Sequence, residues 1–253
     1  MFHLKAITSI MIFSEIDTQR FGFKVAKTNG EVFRDATKEY IEKTKLDYKL
    51  IIARVSLNDI ALINSLEDIG FRIKDTQITY KHDLKNLHQR NKIDTPIFIR
   101  EFQNSDTKYL MKMAKECFID YGHYFNNKSL NRDRCLEIYE DWTYNTCTNK
   151  NLADKIIIAC EEDEPVGFLS FKIYDQGIHK RFAAGGIGAV NLKERGKNIF
   201  PKILNAGLDW AYENNLDWCE HNVLVNNFAV NRSMNKSNFK AGNPQVTMHL
   251  TLI

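Results

Sequence analysis

The sequence predicts a mixed α/β fold, an α+β arrangement on a mixed sheet, and three observations carry that prediction. First, short apolar runs with strand character alternate with longer stretches whose apolar residues recur at helical spacing, as at Ile203, Leu204, Leu208 and Ala211. Second, one strand, helix, strand pattern occurs twice. Setting Phe71 on Phe239 also places Ala61 on Ala229, Gln77 on Gln245, Ile78 on Val246 and Thr79 on Thr247 without a gap; chance similarity is the competing account of so short a match. Third, 253 residues with 43% hydrophobic content can bury one large core or two smaller ones.

The elements follow in chain order. Met1 to Phe13 is apolar in patches, but Lys5 interrupts it and no small-residue cleavage site follows, so it reads as the start of a strand and not as a signal peptide. Leu50 to Val55 is a strand, Leu57 to Ile69 a helix stopped at Gly70, and Ile73 to Tyr80 a second strand. His82 to Thr95 is polar and charged, which marks a linker between residues 1–90 and residues 91–253. Past it, Ile97 to Phe102 is an edge strand, and Ser105 caps a helix running through Met111, Ala114 and Phe118. A helix spans Arg132 to Tyr144; Lys155 to Ala159 and Val166 to Tyr174 are strands joined by the acidic hairpin Glu161 to Pro165.

A net charge of +3 on 35 basic and 32 acidic residues gives no clustered basic footprint, so nucleic acid is not an expected partner, while a small anion is compatible. No run approaches the length of a membrane span. Cys117, Cys135, Cys147, Cys160 and Cys219 are scattered, without the paired spacing of zinc sites. No metal is expected, and a reducing, cytoplasmic setting fits. Each thiol reads as a small apolar filler more readily than as a nucleophile. The sequence leaves a homodimer open.

Chemistry concentrates between Ile187 and Lys240. The apolar strand Ile187, Gly188, Ala189, Val190 runs into the basic turn Arg195, Gly196, Lys197, Asn198, and a helix follows. The first amides of a helix lack partners within it and carry about half a positive charge, so a pyrophosphate can settle there. On composition alone Arg195 and Lys197 read first as a solvated basic turn; the flanking strand and helix favour the ligand reading. A second strand, Val223 to Val225, opens into Asn227, Phe228, Ala229, Val230 and closes at Phe239. The Gly-x-Ser-x-Gly elbow, the phosphate loop ending in Lys-Ser/Thr and the zinc-binding His-Glu-x-x-His helix are absent from the sequence.

With these residues in place, the chain resembles the GNAT superfamily of N-acetyltransferases, in particular the branch that acetylates nucleotide-linked amino sugars, typified by TDP-fucosamine acetyltransferase. The likeness covers most of the chain. It rests on Asp17, Thr18, Phe21, Gly22, Phe23, on Leu66, Glu67, Asp68, Gly70, Phe71, Asp75, Thr76, and on Tyr121, His123, Tyr124, Tyr139 and Trp142. It implies a GNAT-like C-terminal domain at 91–253 preceded by a partial GNAT-like N-terminal domain at 1–90. It implies acetyl-CoA as the acyl donor, held by Ile187, Gly188, Ala189, Val190, Arg195, Gly196, Lys197, Asn198, Ile199, Asn227, Val230 and Met234. The acceptor would be a nucleotide-linked amino sugar used for surface glycans, met by Tyr121, His123, Tyr124 and Trp142, although aromatics at such spacing read more readily as core.

The match to the family motifs is partial. Arg195 and Gly196 open the acyl-CoA loop, but Asn198 and Phe200 stand where relatives carry small residues, while Pro201 falls in the first helical turn where its missing N–H costs little. Asn227, Val230 and Phe239 match the second motif; Met234 replaces the tyrosine that protonates the departing sulfur in relatives, and Asn238 replaces a glycine. Methionine has no proton to give. The implied reaction is attack of a neutral amine on the thioester, with main-chain N–H groups along Gly188 to Val190 holding the oxyanion and Glu220 or His221 taking the amine's proton. Both side chains read equally as a solvated strand end. Two other readings stand beside this one: acetylation of another small amine or a peptide terminus, and a noncatalytic CoA-binding module.

Overall fold

The computed structural model describes residues 11–89, 91–178 and 180–252. The chain begins with β1 (Met11–Phe13), α1 (Glu15–Phe21), β2 (Val25–Thr28), α2 (Lys38–Asp47), β3 (Leu50–Ser56), α3 (Ile60–Asp68) and β4 (Arg72–Asp83). It continues through β5 (Phe98–Glu101), α4 (Thr107–Cys117), α5 (Gly122–Phe125), α6 (Arg132–Thr148), β6 (Lys155–Glu161) and β7 (Glu164–Asp175). The last part holds β8 (Arg181–Val190), α7 (Ile199–Glu213), β9 (Trp218–Leu224), α8 (Phe228–Lys236) and β10 (Lys240–Thr251). The predicted class, a mixed α/β fold on a mixed sheet, is the one observed.

The chain forms two compact units that interleave in sequence. Of the described residues, the first gathers 11–77, 120–135 and 243–252; the second gathers those of 78–119 and 136–242. In the first, the strand order is β1, β2, β3, β10, β4, with β2 and β3 parallel and β3 and β10 antiparallel. One face of this sheet buries Ile51, Ala53, Val55, Val246 and Met248 against Leu62 and Leu66 of α3. In the second, the order is β10, β4, β9, β8, β7, β6, β5. Its core joins Leu169 and Phe171 of β7 to Ile203, Leu204 and Leu208 of α7, with Val223, Met234 and Phe239. Only the first part of β4 belongs to the first unit and only the first part of β10 to the second, so each long strand passes from one unit to the other.

The repeat seen in the sequence extends through whole elements. β3, α3 and β4 have 7, 9 and 12 residues, and β9, α8 and β10 have the same lengths. Local chemistry repeats too: Asp59 accepts from the Leu62 N–H and Asn227 from the Val230 N–H, satisfying an orphan donor at each helix start. Gly70 (φ 105°) and Asn238 (φ 58°) hold the same left-handed stop, and Phe71 and Phe239 each donate a main-chain bond at 2.9 Å back into the helix.

Several boundaries differ from expectation. The first-repeat helix starts at Ile60, because Asp59 caps it. The stretch read as a linker from His82 is ordered at its start: His82 and Asp83 complete β4, and Leu84–Gln89 form 3₁₀ turns. Ser105 does not cap α4; Gln103 and Asp106 form a capping box around the preceding 3₁₀ turn. The part of the first-strand expectation at Met1 to Ile10 lies outside the described residues. The strands on either side of Glu162 and Asp163, and the edge position of β5, match the reading. All five cysteines are free.

Candidate active site

β8 and β9 run parallel, yet they pair only from Phe182↔Trp218 to Ala184↔Glu220. Beyond that point the pairing stops while β8 stays bonded to β7 as far as Gly167↔Val190. The side of β8 that faces away from β7 is therefore released over Ile187, Gly188, Ala189 and Val190. The ladder with β7 also slips by one residue between Leu169 and Phe171, a bulge in β8, and bulges re-aim groups beside functional sites.

A side chain explains where the strands part. His221 is buried between the rings of Phe171 (5.6 Å) and Phe239 (5.3 Å), both edge-on. Its imidazole fills the space above Gly185, so closely that a Cβ on Gly185 would lie 1.7 Å from Nδ1. Burial pushes its pKa down to about 3, and Nε2 has no hydrogen-bond partner among the described residues. Glu220, the neighbouring residue, alternates to the other face of β9 and accepts the indole N–H of Trp218 at 2.9 Å. Trp218 is itself fixed, stacked on Phe182 at 4.7 Å with the Lys81 ammonium 3.9 Å from its ring. Of the two expected bases, Glu220 is thus the one oriented and only half-buried, while His221 is a weak base in an apolar slot.

The basic turn precedes α7 as expected, and its backbone is unusual. Gly196 (φ 88°) and Asn198 (φ 59°) are both left-handed. Nothing lies within 4 Å of a Cβ placed on Gly196, so the glycine is required by its φ and not by crowding. Asn198 does not use its side chain as a cap; its Oδ1 accepts from Lys236 at 2.7 Å. That leaves the opening amides of α7, at Ile199 and Phe200, free of intrahelical partners. Lys197 is less available than its charge suggests, since Glu161 (3.2 Å) and Glu194 both pair with it. Phe200 packs onto the core cluster, so the ring that stood in question over the anion turn is directed inward.

Asn227 is the N-cap of α8 and Val230 its partner. Met234 is 1% exposed within the core and occupies the slot that Leu66 fills in the first repeat, where Leu66 is equally buried. Its role is packing. The expected acceptor residues are distributed as follows. Trp142 is 42% exposed on α6 of the second unit. Tyr121, His123 and Tyr124 belong to the first unit, where the Tyr124 hydroxyl donates to Asp17 at 2.9 Å and His123 Nδ1 lies 2.8 Å from His249 Nε2. Sequence reasoning missed Trp218, Lys236 and Gly185. The Gly185–Gly186 pair inside a strand was the available signal, since glycine there marks a bulge or a close approach.

No family model matches the sequence, and no curated protein matches it. Solved structures do. A functionally unknown conserved protein from Staphylococcus epidermidis superposes with a TM-score of 0.64 at 12% identity, covering 98% of this chain and 93% of that one. A GCN5-related N-acetyltransferase from Sphaerobacter thermophilus gives 0.61 at 13% identity over 96% and 76%. A tandem GNAT protein from the clavulanic acid biosynthesis pathway gives 0.58 at 13% identity over 90% and 75%. The fold is that of the GCN5-related N-acetyltransferases, tandem members included.

Proposed function

We propose that this protein is an acetyl-CoA-dependent N-acetyltransferase. The observation that carries the proposal is the parting of β8 and β9 directly ahead of a left-handed, amide-rich turn at the start of α7. The residues fit the donor. The amides of residues 196–200, with Arg195 and Lys236 nearby, suit a pyrophosphate, and the strand gap at Gly188 to Val190 suits an extended pantetheine arm. When bound, the donor supplies an activated thioester carbonyl. The chain's part is to hold that carbonyl's oxygen with main-chain N–H groups along Gly188 to Val190 and to take the amine's proton on Glu220, directly or through water. Met234 supplies no acid; the thiol's ordinary pKa of about 8.5 lets it depart as thiolate.

The acceptor in this proposal is the amine of a nucleotide-linked amino sugar, supported by the sequence resemblance alone, with Trp142 an exposed aromatic face for stacking. The division into 1–90 and 91–253, as two copies of one ancestral fold, belongs to the same proposal. The core position of Met234 favours one rival reading, a noncatalytic CoA-binding module.

Release of free thiol from acetyl-CoA, measured against amino sugars, nucleotide amino sugars, polyamines and a peptide amine, tests the proposal. Amine-dependent release is expected, and Glu220→Gln should cut turnover by about a hundredfold or more while leaving donor binding intact. Donor binding without release for every amine would establish the rival.

A further inference from the structure

We propose that the second unit holds a site for a free amphiphilic anion, an acyl chain of medium length ending in a carboxylate, in a cleft between α7 and the segment that follows β4. The cleft has a volume of about 770 Å³, within the range of about 300–1,000 Å³ that small-molecule sites occupy. It lies wholly in the second unit, on a stripe of α7 that the candidate active site does not use. Ile203, Leu204, Leu208 and Ala211 turn to the core, whereas Lys202, Ala206, Asp209 and Tyr212 share a neighbouring face and line the cleft. From Lys202 to Tyr212 the helix rises about 15 Å, a length that an extended chain of about ten carbons spans.

The segment read from sequence as a polar linker forms the opposite wall, and hydrogen bonds pin it at both ends. The Leu84 N–H donates to the Asp217 carbonyl at 3.0 Å. Further along, the Asn205 amide donates to the Asn91 carbonyl at 2.9 Å, the Asn91 amide to the Lys236 carbonyl at 2.8 Å and the Thr95 hydroxyl to the Lys197 carbonyl at 3.1 Å. A wall fixed before a ligand arrives lowers the ordering cost of binding. The floor is apolar. Leu87, Ile99 and Ala206 pack against the second unit's core yet are only partly buried, so their outer surfaces remain for an apolar body to cover. The charge around that floor has one dominant sign. Lys85, Lys92 and Lys202 line the same cleft and form no ion pair among the described residues, whereas Asp209 is the single carboxylate among its described lining residues. Over the whole chain, 35 basic residues are nearly matched by 32 acidic ones, so this local excess selects an anionic head. An inorganic anion would leave the floor uncovered, and a long-chain amine would bring the wrong sign; an acyl carboxylate meets both demands. The site does not depend on acyl transfer taking place.

Titration calorimetry on the full chain, with decanoate below its micelle concentration as the probe, tests the proposal; hexanoate, acetate, inorganic phosphate and decyltrimethylammonium are the controls. Decanoate should bind saturably and about tenfold or more tightly than hexanoate, because the longer tail covers more of the floor. It should bind about tenfold or more tightly than decyltrimethylammonium, which carries the same tail and the opposite charge. Ala206→Trp, which fills the floor, should weaken decanoate about tenfold or more, and Lys92→Glu, on an exposed side chain, about threefold or more, with circular dichroism checking both folds. No saturable decanoate binding, any control binding as tightly as decanoate, or decanoate binding unchanged in both variants would each overturn it. Cosedimentation with phosphatidylglycerol vesicles in the absence of decanoate binding would assign the basic rim to a membrane surface and overturn it as well.

Discussion

His221 and His249 are, with His123, buried histidines through which this protein responds to acid. The first two are buried and neutral, with pKa values driven down to about 3 by desolvation, whereas in the unfolded chain a histidine titrates near about 6.5. As pH falls the unfolded chain takes up these protons first, so the contribution is whole above about 7 and is lost progressively from about 6.5 toward 3. Each histidine adds a slope of up to about 1.4 kcal/mol per pH unit in that window. Urea midpoints at pH 7, 6 and 5 should fall in step, and His221→Leu should remove about one proton's share of the slope. Met234→Tyr makes a second test. The position lies in the core, so the larger ring should cost about 1–3 kcal/mol of stability and leave thiol release no faster. His221 and Met234 also mark how far sequence could reach: it flagged both for chemistry by type and spacing, but their burial depends on Phe171, Phe239 and α7, brought together only by the fold.

The opening between β8 and β9 depends on an empty position and a ring that fills it. Gly185→Ala should destabilise by about 2 kcal/mol or more or expel His221, because the new methyl falls within the imidazole. Adding His221→Ala should recover much of that loss, a coupling readable in a double-mutant cycle by chemical denaturation. The sequence located the strand, turn and helix around this opening, since apolar runs and a glycine-basic turn have local signatures. It gave no reading for α1, β2 or α2. β2 is only four residues, Val25–Thr28, with a lysine inside it, and its strand character comes from pairing with β3. Likewise the capping box of Gln103 and Asp106 was hidden by an adjacent serine that looked adequate alone.

At the scale of the whole chain, two strand, helix, strand segments share lengths, caps and left-handed stops, and that likeness was legible from Phe71 and Phe239, the aromatic residues that close each helix. What the sequence did not disclose was that the long strands pass between units. A chain ended before Asn243 should lose the first unit's structure even though most of that unit's residues remain, because β3 loses its partner from Gln245 to Thr251. Amide exchange or tryptic cleavage would register this as loss of protection across β3 and α3; protection equal to the full chain would contradict it.

The same exchange of strands fixes an order of events during synthesis. An N-terminal unit normally matures while the rest of its polypeptide is still being made. Here β3 must wait, one of its edges lacking a partner, until translation reaches Gln245 to Thr251. Slow or paused elongation before β10 is made would therefore lengthen the time this edge stays open to chaperones or to aggregation, and β10 acts as the latch that ends it.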